Sequence, residues 1–511
     1  MKKSIYIFIA ILTCWGCDKG FEELNVDPTK PDQISVVNKL TSVQLFTSGE
    51  RYENWRANLI YCSTMMQHFA TTAGYWSGDK YTWNRGYASS LIDRYYGNAV
   101  KTLEDMMVQL DTEEKPAEMK AITRIMRVFV YHRLTDLYGD IPYSEAGKAV
   151  IDGVLKPKYD RQADIYADLL KELEESVADL GSGTSEFGDA DLMYKGDLAT
   201  WKRFGNSLML RLGFRMIKVD PSGAQQWVTK AIQGGVMESN ADIAYIAHTT
   251  GPEGINKNGL GEVFTADGNM RMSKTFVDFL TGDPRLKILG ALPEKTGQKD
   301  GEGNDILRTY EERIDAATQK GLPNGLDAGL LEDATGETDT FAYTEPNRTI
   351  ITGEDAPMFF QTYAEVKFLL AEAAVRWGLA GGDAKVHYEE GVAAAMKMLS
   401  LYGENAVIND TAIEEYITAN PFDASNALEQ INTQYWAATF LNEYEAFANW
   451  RRTGFPVLTP VNYPGNETNG TIPRRLTYST SEQSNNEENY NAAIQAQGPD
   501  ILTTRVWWDK E

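Results

Sequence analysis

Between His68 and Tyr96 the chain concentrates Phe69, Tyr75, Trp76, Tyr81, Trp83, Tyr87, Tyr95 and Tyr96, broken by Gly74, Gly78 and Gly86 and interleaved with Asp79, Lys80, Asn84 and Arg85. These aromatics hold no helical period, and a glycine-punctuated polar setting predicts that they face outward. Flat rings stack on the C–H faces of sugars, while nearby carboxamide, carboxylate and guanidinium groups suit sugar hydroxyls. The expected ligand-binding residues are therefore Tyr75, Trp76, Tyr81, Trp83, Asn84 and Arg85, with the loops at 250–270 and 320–350 next in line. The alternative is a loop packed on the scaffold or against a partner.

Other residues offer less chemistry. Asp300, Glu302, Asn304 and Glu311 fall at positions 1, 3, 5 and 12 of a calcium-loop pattern, but position 6 is Asp305 where that loop needs Gly. A solvated acidic loop is the reading, with calcium as the alternative. Asp136 and Asp140 flank a helix stop made by Gly139 and Pro142, and are expected to organise that turn rather than act as an acid/base pair. The four histidines, His68, His132, His248 and His387, form no metal-ligand spacing, and no nucleophile elbow, phosphate loop or dinucleotide fingerprint appears. No catalytic residue, metal ligand or cofactor site is assigned. A carboxylate pair drawn from distant positions would make the chain a helical glycoside hydrolase, which spacing alone does not exclude.

Long helices must position these groups. Met119, Ile122, Ile125, Met126, Phe129 and Val130 recur at three and four, and Ile165, Leu169, Leu173, Val177 and Leu180 form a second stripe after Pro157 and Asp160. Further helices are expected at 201–218, 364–377, 384–400 and 431–450, with irregular stretches at 181–190, 250–270, 294–305, 320–357 and 456–500. Arg211 and Arg215 on one helix and Glu365 and Glu372 on another are expected to pair between packed helices. Arg451 and Arg452, before Gly454, suit the negative end of a helix dipole. The fold class is all-α.

The 511 residues carry 49 Lys+Arg against 73 Asp+Glu, a net charge of −24 that repels a phosphate backbone and excludes nucleic acid as a ligand. The N-terminus reads as a signal peptide: Lys2 and Lys3, an apolar run over 5–12 too short to cross a hydrocarbon core, then Gly16 before Cys17. Removal of 1–16 would expose Cys17 for acylation, the alternative being an unlipidated secretory signal. Cys62 is then the one thiol left, and no internal disulfide is expected.

Several separated blocks share one resemblance. They are Phe21-Glu22-Glu23-Leu24-Asn25-Val26-Asp27-Pro28, Leu134-Thr135-Asp136-Leu137-Tyr138-Gly139-Asp140-Ile141-Pro142-Tyr143-Ser144-Glu145-Ala146, Trp201-Lys202-Arg203-Phe204-Gly205-Asn206, Asp283-Pro284-Arg285-Leu286, Tyr363-Ala364-Glu365-Val366, Trp450-Arg451-Arg452-Thr453-Gly454 and Ile472-Pro473-Arg474-Arg475. In this order they resemble the SusD/RagB outer-membrane lipoproteins of Bacteroidetes. The resemblance implies tetratricopeptide-like helix pairs with an irregular, loop-rich ligand-binding region. It implies a single domain over 17–511: a tether at 17–30, a helical scaffold at 31–235 and 358–455, and loop-rich regions at 236–357 and 456–511. It further implies a non-enzymatic, lipid-anchored protein of the cell surface that hands a glycan, or on the RagB side a peptide, to a SusC-like TonB-dependent transporter.

Overall fold

The computed structural model describes residues 34–251, 256–299, 303, 305–308 and 311–511. Cys17, the tether 17–30 and the calcium-loop positions Asp300, Glu302 and Asn304 lie outside the described residues.

The chain is predominantly helical, and its helices start and stop where local chemistry requires. Helix α1 (Val36–Ser48) is opened by the Ser35 side chain, which accepts from the Val37 N–H. Helix α2 (Asn54–Ser63) is a wide π-helical segment entered through a turn at 51–53. Helices α3 (Lys101–Thr112) and α4 (Ala117–Tyr138) follow; α4 ends at Gly139, whose φ of +82° few other residues adopt, and Pro142 prevents its resumption. Helix α5 (Gln162–Asp179) carries the second predicted stripe inward. Helix α6 (Leu198–Arg215) is capped by Asp197, and α7 (Pro221–Gly234) by Asp220 with proline in its first turn. After the short α8 (Gly259–Ala266) come α9 (Tyr363–Trp377), opened by a reciprocal Thr362 and Glu365 capping box, α10 (Ala384–Lys397), α11 (Ala427–Ala438) and α12 (Glu443–Thr453).

Neighbours in sequence are neighbours in space: α4 packs on α5, α5 on α6, α6 on α7, α9 on α10 and α11, and α11 on α12. One hydrophobic core runs from Val36 to Trp508. Strands are brief and serve as clamps. β1 (Phe69–Ala70) pairs with β3 (Arg271–Met272), and β2 (Ala244–Ala247) with β4 (Pro357–Gln361), both antiparallel. The β1/β3 pair fastens the aromatic-rich stretch to the segment that follows α8.

Buried ion pairs tie the helices together. Arg211 Nη2 lies 2.7 Å from Glu365 Oε2, so α6 and α9 pair as expected. Glu372 does not pair with α6; it receives Arg452 of α12 through two bonds of 2.8 Å. Arg451 and Arg452 stand in the last turn of α12 before Gly454, as expected, and both are buried. Neither aspartate closes the turn through its own neighbours: Asp140 accepts from the Gln162 N–H at 2.8 Å and so fixes the start of α5. Asp136 is buried and accepts from Arg215 Nε at 3.2 Å, from Trp508 Nε1 at 3.0 Å and from the Tyr166 hydroxyl. A buried charge with these donors is satisfied; stripped of them it would cost several kcal/mol, roughly 3–5.

Candidate functional site

The stretch expected to form an exposed platform is largely interior. Trp76 and Tyr81 are fully buried, a correction to the expectation that they face solvent. The physical reason lies in Gly78. A Cβ there would stand 2.2 Å from the Ile60 carbonyl oxygen, so glycine serves close packing of 77–80 against α2 and not exposure. The interleaved charges are interior too. Asp79 accepts from Asn324 Nδ2 at 2.7 Å and from the Gly325 N–H at 3.1 Å, while Lys80 Nζ donates to the Thr71 carbonyl at 2.9 Å. Burial pushes the Asp79 carboxyl above its usual range, against the pull of Lys80. These groups hold the 320–327 loop in place and are not available to a ligand.

Tyr75 is the outward member, 38% exposed. Its hydroxyl donates to Asp267 Oδ2 at 2.7 Å and accepts from Asn269 Nδ2 at 3.0 Å. Burial, then the Asp267 charge, push the Tyr75 phenol upward, so it stays a neutral donor. Asp267 is the keystone of this corner: the same Oδ2 accepts from Trp55 Nε1 at 2.9 Å and Trp76 Nε1 at 3.1 Å, and Oδ1 accepts from the Asn269 N–H at 2.9 Å. With both oxygens engaged, Asp267 positions rings.

Trp55 meets Tyr75 edge to face, with centroids 6.0 Å apart and planes at 79°. The ridge continues through cations on rings. The Arg51 guanidinium lies 5.5 Å from the Trp55 ring and 5.7 Å from Tyr52, and Arg56 lies 4.8 Å from Tyr52 and 5.2 Å from Tyr87. Tyr52 is half exposed at 52%. Arg51, Tyr52, Trp55 and Arg56 were absent from the expected site. Their signal was legible, since 51–56 mixes aromatics and cations as densely as 68–96 does, yet it precedes the glycines that drew attention. Asp267 and Asn269 fall within the 250–270 stretch, expected to be a loop but helical over Gly259–Ala266, and follow directly on the end of α8.

Trp83, Asn84 and Arg85 are half-buried and form a second patch, joined to the ridge through Asn84 and Tyr87. Arg85 stacks 4.0 Å from the Trp83 ring, and Trp83 is held through Nε1 to Thr477 Oγ1 at 2.8 Å and through its N–H to Glu467 at 2.9 Å. Asn84 spends its side-chain oxygen on the Tyr87 N–H, capping a short helix at 85–88. The structure thus divides the six expected residues into two in the core, one on the ridge and three on the second patch. Among the described residues, no group of His, Cys, Asp and Glu could hold a metal ion, and no helix is long and apolar enough to cross a membrane.

Comparison with known proteins adds the family context. A SusD-like family model, described as starch-binding and associating with the outer membrane, matches residues 28–479. Among solved structures, a chitin-binding protein is 34% identical, with 93% of this chain and all of that one covered and a TM-score of 0.81. A SusD-like protein of Bacteroidetes is 27% identical, covering 94% of this chain and all of the other, at a TM-score of 0.79. A chitin-binding SusD homologue from Flavobacterium johnsoniae, 24% identical over 93% of this chain and 98% of its own, shares the fold at a TM-score of 0.74. No curated protein sequence matches.

Proposed function

The chain belongs to the SusD-like family of glycan-binding, outer-membrane-associated proteins, and from that premise we propose that it captures an oligosaccharide of the chitin type and passes it to a SusC-like TonB-dependent transporter. Capture uses the ridge of Tyr52, Trp55 and Tyr75. Cys17 carries the lipid that keeps the protein at the cell surface, and no bond of the glycan is broken.

The observation that carries this reading is the edge-to-face corner of exposed Tyr75 and half-buried Trp55, both fixed by Asp267. Rings held by a buried carboxylate lose little freedom on binding, which favours stacking against the pyranose faces of a sugar chain. The exposed Asn269, whose two amide N–H groups go to Tyr75 and Asp267, offers its side-chain oxygen as an acceptor to sugar hydroxyls, and the cations Arg51 and Arg56 stand beside the rings as donors to hydroxyl or acetamide oxygens. The likeness to a chitin-binding protein at 34% identity favours N-acetylated sugars over plain glucans. Calorimetry on the full chain with chitohexaose and with maltoheptaose is the test. Chitohexaose is expected to bind, and Tyr75→Ala and Trp55→Ala each to weaken it roughly tenfold, about 1.4 kcal/mol. Unchanged affinity in both variants would move the site to the Trp83 and Arg85 patch, and displacement by peptides instead of glycans would replace the ligand class.

A further inference from the structure

A second surface, away from the aromatic ridge, has its own chemistry. Helix α3 and the segment 144–157 enclose a cleft of about 590 Å³ with an apolar lining that includes Ile92, Tyr96, Val154 and Leu155. At its lip Val150 is 86% exposed, Leu155 81% and Ile151 36%. Large aliphatic side chains left this open to water are unfavourable, and clustered in one loop they mark a surface built to be covered.

Within the loop itself the charges are mostly of the sign opposite to the molecule's, although the cleft below is lined by Asp93, Asp105, Glu145 and Glu482 against Lys101. Lys148, Lys156 and Lys158 stand against one Asp152 in 148–158, in a chain of net charge −24. Of the nearby carboxylates, Asp105 pairs with Lys39 Nζ at 2.5 Å and Asp160 with Lys158 Nζ at 3.3 Å, while Glu145 and Glu482, which accept from the Lys158 N–H and the Tyr159 hydroxyl at 2.9 Å each, keep their charge in the cleft lining. Aliphatic tips flanked by lysines match a surface that is apolar inside and phosphate-bearing outside. The chain also arrives on this face. Ile34 and Lys39 both contact α3, through Gln109 and Asp105, and Asp105 lines the cleft as well. Residues 18–33 separate Ile34 from Cys17, a reach of at most about 55 Å.

We propose that this face rests on a lipid bilayer, with Val150 and Leu155 entering the acyl-chain boundary and Lys148 and Lys156 meeting lipid phosphates. A lipid on Cys17 would then act with a second contact, and two contacts hold a protein at a membrane in one orientation where a lone tether does not. The inference rests on outer-membrane association and is independent of the glycan assigned to the ridge.

The test holds the full chain from Cys17 onward on vesicles of phosphatidylethanolamine and phosphatidylglycerol. It is anchored by its own acyl chains or, where cells do not add them, by coupling the Cys17 thiol to a maleimide lipid; Cys62 is buried and does not compete. Backbone hydrogen exchange is read by mass spectrometry in anchored and free protein. Exchange in 148–157 is expected to slow at least fivefold on anchoring, with no change in 456–470, which contains the exposed Val457. The slowing should vanish in a Val150→Asp, Leu155→Asp double variant that still binds glycan. Equal exchange in anchored and free protein overturns the proposal, and so does slowing that appears only when a transporter is added.

Discussion

Trp76 and Tyr75 are adjacent residues with different work. Trp76 is sealed in the core and Tyr75 stands at the surface, yet both donate to the same Asp267 oxygen. Trp76→Ala should therefore lower unfolding free energy by about 3–5 kcal/mol, read by chemical denaturation, since it leaves a ring-sized cavity. Tyr52→Ala should change stability by less than about 1 kcal/mol, because its ring is half in water. Asp267→Asn is the most direct check on the corner. The amide keeps the shape but turns one acceptor into a donor facing N–H and O–H groups, at a cost of roughly 1–3 kcal/mol. Chitohexaose affinity should fall although residue 267 itself is buried, and an unchanged affinity would mean that the rings need no such clamp.

Elements are joined here by close contacts more than by extended sheets. The 77–80 turn lies against α2 where a side chain has no room, so Gly78→Ala must push the two apart. That shift should cost about 1–3 kcal/mol and move the 320–327 loop, which hangs on Asp79 through Asn324 and Gly325. Asn324→Ala removes one of these two ties, together with the Asn324 bonds to the Phe69 and Thr64 carbonyls at 2.7 and 3.4 Å, but leaves the contact of Gly78 with α2 intact. Faster hydrogen exchange confined to 320–327 in that variant, with α2 unchanged, would separate loop anchoring from core packing.

At the level of the whole molecule, the helices that are distant in sequence are bound by interior charges. Glu372 of α9 receives Arg452 of α12 and Arg376. Burial alone would raise its carboxyl, but the charges of Arg452 and Arg376 outweigh burial and hold it down to about 2. Because the folded value lies below the unfolded one of about 4.3, its contribution is complete above that pH and is lost as pH falls through about 2. The size is on the order of 3 kcal/mol. Urea unfolding of wild type and Glu372→Gln across pH 2–7 should therefore differ most at neutral pH and converge toward pH 2. Parallel curves would show that Glu372 does not set the acid limb.

Much of this architecture is local and so was readable in advance. The stripe from Met119 to Val130, the stop at Gly139 and Pro142, and the capped starts of α6, α7 and α9 depend on residues within a turn or two of each other. The seven-block resemblance read the family for the same reason, since its motifs are short and ordered. Which aromatics face water is a different kind of fact. Trp76 and Tyr75 have neighbours of the same character in sequence, and only the approach of α2, α8 and the 320–327 loop buries one and leaves the other out. Likewise, Glu372 is a helix residue like any other until α12 brings Arg452 to it. Periodicity, caps and motifs are properties of the chain, whereas burial is decided by segments hundreds of residues apart, such as those bearing Trp55 and Asp267, meeting in space.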